Sequence, residues 1–93
     1  MKFTIIPDDK TIIINGFGYS ELEFIIDANI HAVQWYDDIG EIEYKSELTE
    51  NGLNKPQNLI IHQYSDFKLA LDTWELAKQN ALIAQQVEVE NDN

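Results

Sequence analysis

Residues 65–86 read SDFKLALDTWELAKQNALIAQQ, a run without Gly or Pro whose apolar residues recur at helical spacing. At 100° per residue, Phe67, Ala70, Leu71, Trp74, Ala77 and Ala81 share one face. Trp74 anchors that stripe, because an indole buries more apolar area than any neighbour. Ser65 stands where an N-cap hydroxyl is needed, Asp66 meets the positive end of the helix dipole, and Tyr64 is spaced to staple against Leu69. Such a helix needs an apolar surface to lie on. The residues before it read as short strands and turns, so the fold expected is α+β: a small antiparallel sheet of about four strands with one C-terminal helix packed on one face.

The same helix carries a second pattern. Leu69, Leu76 and Ile83 are spaced by sevens and fall roughly opposite the core stripe. One exposed leucine means nothing, but three in line on the far side of a helix suggest contact with another chain. They are the first candidate partner-binding residues and point to a homo-oligomer. Three residues fall short of the three or four sustained heptads that define a coiled coil. A small domain wrapped around the helix, or scattered exposure, gives the same spacing.

Upstream, residues 2–6 and 11–14 flank the turn signal Pro7-Asp8-Asp9-Lys10. Pairing Ile6 with Thr11 sets Phe3, Ile5, Ile12 and Ile14 on one face, and Thr4, Ile6, Thr11 and Ile13 on the other. Asn15-Gly16 marks a second turn. Residues 17–29 offer Phe17, Tyr19, Leu22, Phe24, Ile25 and Ile26 as core without a clear period. Residues 30–36 and 41–45 read as a hairpin joined by Asp37-Asp38-Ile39-Gly40, with Tyr36 opposite Glu41, Trp35 opposite Ile42 and Val33 opposite Tyr44. Its other face, Gln34, Tyr36, Glu41 and Glu43, is polar. Residues 46–58 read as loop, and Leu59-Ile60-Ile61 as an edge strand or a lead-in to the helix. Residues 1–86 make one domain, and 87–93 form an acidic tail expected to fray unless Val87 and Val89 dock.

Seventeen acidic residues stand against six basic ones, all Lys, for a net charge of −11. That balance disfavours direct nucleic-acid binding and anionic membranes. It suits solubility, steering towards a basic partner, or imitation of a phosphate array. The densest acid is Asp37, Asp38, Glu41, Glu43, Glu47 and Glu50 against Lys45 alone, a second candidate partner-binding patch. The same charges also guard a strand edge against unwanted pairing. There is no Cys, no apolar run long enough to span a bilayer, and no apolar signal-peptide core in MKFTIIPDD.

The residues offer little chemistry. His31 is expected on the core face beside Val33 and Trp35, and His62 just before the helix. Zinc needs three or four ligands, which two distant histidines do not supply. Asp8/Asp9, Asp37/Asp38 and Glu41/Glu43 fall in turns or on a solvent face, where no pocket separates their pKa values. Asn15-Gly16-Phe17-Gly18 is too short for a phosphate-binding loop. The expectation is no enzyme, no metal and no cofactor.

The blocks MKFTIIPDDKTIIING, HAVQWYDDIGEIEYK and SDFKLALDTWELAK, in that order, resemble small proteins of tailed bacteriophages and prophages encoded near tail-fibre genes. HAVQWY with GEIEY is the specific part, and the helix block is generic. The chain departs from that pattern over residues 46–58 and from Leu82 onwards. The resemblance implies a non-enzymatic phage accessory protein in the host cytoplasm or the virion, tail-associated or engaged in assembly, with a protein partner. Its alternative is an acidic, DNA-mimic-like inhibitor of a host defence or nucleic-acid-binding complex.

Overall fold

A computed structural model describes residues 1–91, with side chains placed through residue 85. Strand β1 (Lys2–Ile6) runs into a 3-10 turn, Pro7–Asp9, and returns as β2 (Thr11–Ile14). Lys10 closes that turn in the left-handed region, and its N–H donates to Pro7 O at 3.0 Å. The pairing is Ile6↔Thr11 through Phe3↔Ile14, the register that strand alternation requires. Asn15 and Gly16 both take positive φ, 49° and 88°, and turn the chain into β3 (Phe17–Tyr19). Then follow β4 (Ile30–Tyr36), β5 (Ile39–Tyr44), β6 (Glu47–Thr49), β7 (Gly52–Asn54) and β8 (Leu59–Ile61).

The main sheet has six strands in the order β3-β2-β1-β4-β5-β8, every neighbour antiparallel. The α+β fold is the one expected, with more strands. The two additional ones, β3 and β8, form the sheet's edges. Helix α1 (Lys68–Asn91) crosses the face that carries Phe3, Ile5, Ile12, Ile14, Val33 and Trp35. Phe67, Ala70, Leu71 and Trp74 are buried there, with Ala77 packed against them. Phe3, Ile5, Ile12 and Val33 are fully buried, each a contribution of about 1.5–3 kcal/mol. Phe3 stacks on Trp35 at 6.1 Å, and Tyr64 meets both rings edge-on.

Several local expectations are corrected. Ser65 does not cap α1. It opens a 3-10 turn, Ser65–Phe67, and both its N–H and its hydroxyl donate to the Gln63 side chain. Tyr64 turns to Phe3 and Trp35 instead of stapling Leu69. Helix α1 continues to Asn91, past the boundary at Gln86 where the tail was expected to begin. The expected docking of Val87 and Val89 falls on side chains outside the described residues.

Residues 46–58 contain the hairpin β6–β7, whose strands are too short to show a period. Of the core proposed in 17–29, Leu22 is buried and Tyr19, Phe24 and Ile26 pack on the core, but Phe17 and Ile25 are exposed. His31 lies at the irregularity between Ile30 and Ala32 and is exposed. One extra residue breaks the alternation there, so Ile30 takes the core position opposite Tyr44.

The β4–β5 register also differs by two residues. Tyr36 pairs with Ile39, Trp35 with Gly40 and Val33 with Ile42, around a two-residue turn in which Asp37 has φ 58°. Gly40 belongs in the strand, because its missing Cβ makes room for the Trp35 indole. A Cβ at position 40 would lie 2.6 Å from Trp35 Cε3 and 2.9 Å from Gln34 O. An even slip keeps every side chain on its expected face. Gly40→Ala is therefore expected to destabilise the fold by about 1–3 kcal/mol in urea unfolding. Unchanged stability would mean that Trp35 does not need that gap.

Candidate partner-binding surfaces

Leu69, Leu76 and Ile83 stand in line on the side of α1 away from the sheet, 82%, 61% and 55% exposed. The core stripe docks α1 by its other side. Trp74 Nε1 donates to Phe17 O at 2.9 Å, and the indole meets Tyr19 edge-on at 5.7 Å. Lys78 lies 5.6 Å over the same ring. These contacts orient the helix, and that orientation turns the leucine stripe to solvent. Seven residues of helix rise about 10 Å, so the three side chains form a straight, widely spaced row.

The six acidic candidates are not gathered around one point. Asp37 and Asp38 occupy the β4–β5 turn, Glu41 and Glu43 lie along β5, and Glu47 and Glu50 belong to the β6–β7 hairpin. Asp37 Oδ1 accepts from the Met1 ammonium at 3.3 Å. Glu41 accepts from Asn58 Nδ2 at 2.9 Å, and Glu43 from Gln34 Nε2 at 3.3 Å. Between Asp38 and Glu43 the strand alone extends about 16 Å. The result is an acidic band along one strand and hairpin.

Three apolar surfaces escaped the reading of the residues. In the β6–β7 hairpin, Leu48 pairs across to Leu53, and both are exposed. A cleft of about 350 Å³ lies between β3 and α1, lined by Phe17, Tyr19, Trp74, Lys78, Ala81 and Leu82. A shallower groove of about 360 Å³ opens on the uncovered sheet face among Thr4, Gln34, Tyr36, Ile39, Glu41 and Ile60. None has a sequence signal, since each joins residues from strands whose pairing had first to be known.

His62 sits near Gln63, Asp37 and Asp38, and His31 near Asp8, so the topology keeps the histidines apart. Among the described residues no three His, Cys, Asp or Glu side chains converge as metal ligands, and no helix is long and apolar enough to cross a membrane. Asp8 accepts from Lys45 Nζ at 2.8 Å. That hydrogen bond holds its carboxyl below the ordinary 3.8, with the Lys45 and His31 charges acting the same way and desolvation opposing.

Because the folded value is depressed, the Asp8–Lys45 pair stabilises the fold above the unfolded value and loses its effect as pH falls through the folded one. Lys45→Met is expected to return the Asp8 midpoint towards 3.8 in a carboxyl-carbon NMR titration. An unmoved midpoint would show that the pair does not form in solution. Leu76→Glu replaces an exposed side chain, so the monomer's unfolding free energy is expected to change by no more than about 0.5 kcal/mol. A larger loss would place Leu76 in the core.

Compared with family models, curated proteins and solved structures, the chain matches none.

Proposed function

We propose that the chain is a non-enzymatic bacteriophage accessory protein that acts by protein–protein contact, associated with the tail or virion or engaged in its assembly. The observation that carries this reading is the exposed row Leu69, Leu76 and Ile83 on the outer side of α1. Apolar residues in line on a helix that has already buried its other side provide a surface another chain can cover. The resemblance of the β1–β2 and β4–β5 blocks supplies the phage setting.

The acidic band supports a second reading, inhibition of a basic host complex. It ranks lower because Glu41 and Glu43 already accept hydrogen bonds from Asn58 and Gln34 of their own chain.

Affinity capture from phage-infected host cells tests the two. The expected result is recovery of tail or fibre proteins with the wild-type chain and its loss with Leu76→Glu. Recovery of a host nuclease or defence subunit, lost on neutralising Asp37, Asp38, Glu41 and Glu43 and weakened by salt, would overturn the assembly reading in favour of inhibition.

A further inference from the structure

Thr73 and Asn80 interleave with the exposed row. Leu69, Thr73, Leu76, Asn80 and Ile83 alternate by four and three residues along one continuous helix. That is the a/d spacing of a coiled-coil seam over two heptads, with the apolar Leu69, Leu76 and Ile83 at d and the polar Thr73 and Asn80 at a. The row is centred about 140° around the helix from the core stripe, on the side away from the sheet.

The individual residues suit a seam between two helices. Thr73 is β-branched, as a positions of two-stranded coils prefer, and its hydroxyl donates to Leu69 O at 3.1 Å. It therefore enters an apolar contact with no orphan donor. Asn80 is exposed between Leu76 and Ile83, a polar interruption of an otherwise apolar row. Its amide is both donor and acceptor and so complements the same amide on another copy. One Asn at an a position sets register and strand number at some cost in stability.

Asn80 points to a second copy as the occupant, and the charge of this stretch allows it. A chain of net charge −11 repels its own copies, so two can meet only where carboxylates are few or neutralised. Between Glu75 and Glu88 there is no acidic residue, and Lys78 is the single charge. Lys78 sits over Trp74, on the sheet side of the helix. On one flank of the row, Asp72 is paired within its own chain to Lys68 at 3.0 Å, and Gln79 donates to Glu75 at 3.1 Å. On the other flank Ala70 and Ala77 are already packed against the chain's own sheet, and Ala84 is exposed and small enough for close helix approach.

We propose that two copies of this chain join as a parallel, in-register coiled coil along Leu69, Thr73, Leu76, Asn80 and Ile83, with the two Asn80 amides hydrogen-bonded across the axis. Parallel alignment follows from Asn80: it sets a against a, whereas an antiparallel pair sets each Asn80 against an apolar d residue. The proposal rests on the reading of the row as a contact surface and names a second copy as what covers it, so that capture of tail proteins is then a property of the dimer.

Sedimentation velocity and cysteine trapping of the full-length chain test it. The wild type is expected to be a dimer at micromolar concentrations, and Leu76→Glu a monomer with an unchanged circular-dichroism spectrum. Asn80→Val removes a buried amide, so it is expected to tighten the dimer about tenfold and to admit larger oligomers. The chain has no Cys, so Thr73→Cys reports orientation directly: two thiols facing at one a layer are expected to form a disulfide dimer on mild oxidation.

A dimer that survives Leu76→Glu would overturn the seam. A Leu76-dependent dimer that Thr73→Cys does not trap would overturn the parallel arrangement. A monomeric wild type that still captures tail proteins through Leu76 would overturn the dimer and leave the proposed function standing. A trapped dimer that captures no phage protein would do the reverse.

Discussion

The docking of Trp74 is the contact on which the rest of this molecule depends. Its indole lies edge-on to Tyr19 and donates to the Phe17 carbonyl, so one side chain binds α1 to β3, the outermost strand on that side. A neighbouring aromatic group, Phe3 with Trp35 and Tyr64, holds the start of the helical region over the middle of the sheet. Between these two points Ala70 and Leu71 fill the interface, and the small Ala70 lets the helix approach closely. Without Trp74 the helix has few large side chains to bury, and β3 loses its tie to the helix.

A single helix cannot cover a six-stranded sheet. The extended segment after β3 helps, placing Leu22, Phe24 and Ile26 against the core. Among the described residues the opposite face of the sheet stays open and neither edge strand has a further neighbour, and the β6–β7 hairpin pairs as a separate two-stranded sheet. The molecule is elongated, 66 × 29 × 19 Å, and α1 alone is about 36 Å long. A thin core and a long helix leave much surface for contact and little enclosed volume.

Much of the fold, and the exposure of the row Leu69, Leu76 and Ile83, could be read from the residues. Strand alternation sorted Phe3, Ile5, Ile12 and Ile14 correctly, and helical periodicity separated Trp74 from Leu76. The misreadings have physical causes. Gly40 looks like a turn residue, yet it is needed opposite Trp35, where the indole leaves no space for a Cβ. The bulge at His31 needs one extra residue, which no propensity announces. Ser65 has the side chain of a cap but begins a 3-10 turn, because Tyr64 is drawn to Phe3 and Trp35. The acidic cluster was compact in sequence and is drawn out in space, since a strand lengthens by more than 3 Å per residue.

By itself the sequence determined the class of fold and the existence of two opposed faces on the C-terminal helix. Those properties follow from local periodicity: a helix repeats every 3.6 residues and a strand every two, wherever they lie. It also determined the charge that restricts how copies can meet. Only the tertiary structure decided which side of the helix the sheet would claim, how β4 and β5 pair, and where the acids stand relative to one another. Those are non-local choices, made by packing volumes such as the gap at Gly40 and by contacts such as Trp74 to Phe17, whose partners are 57 residues apart.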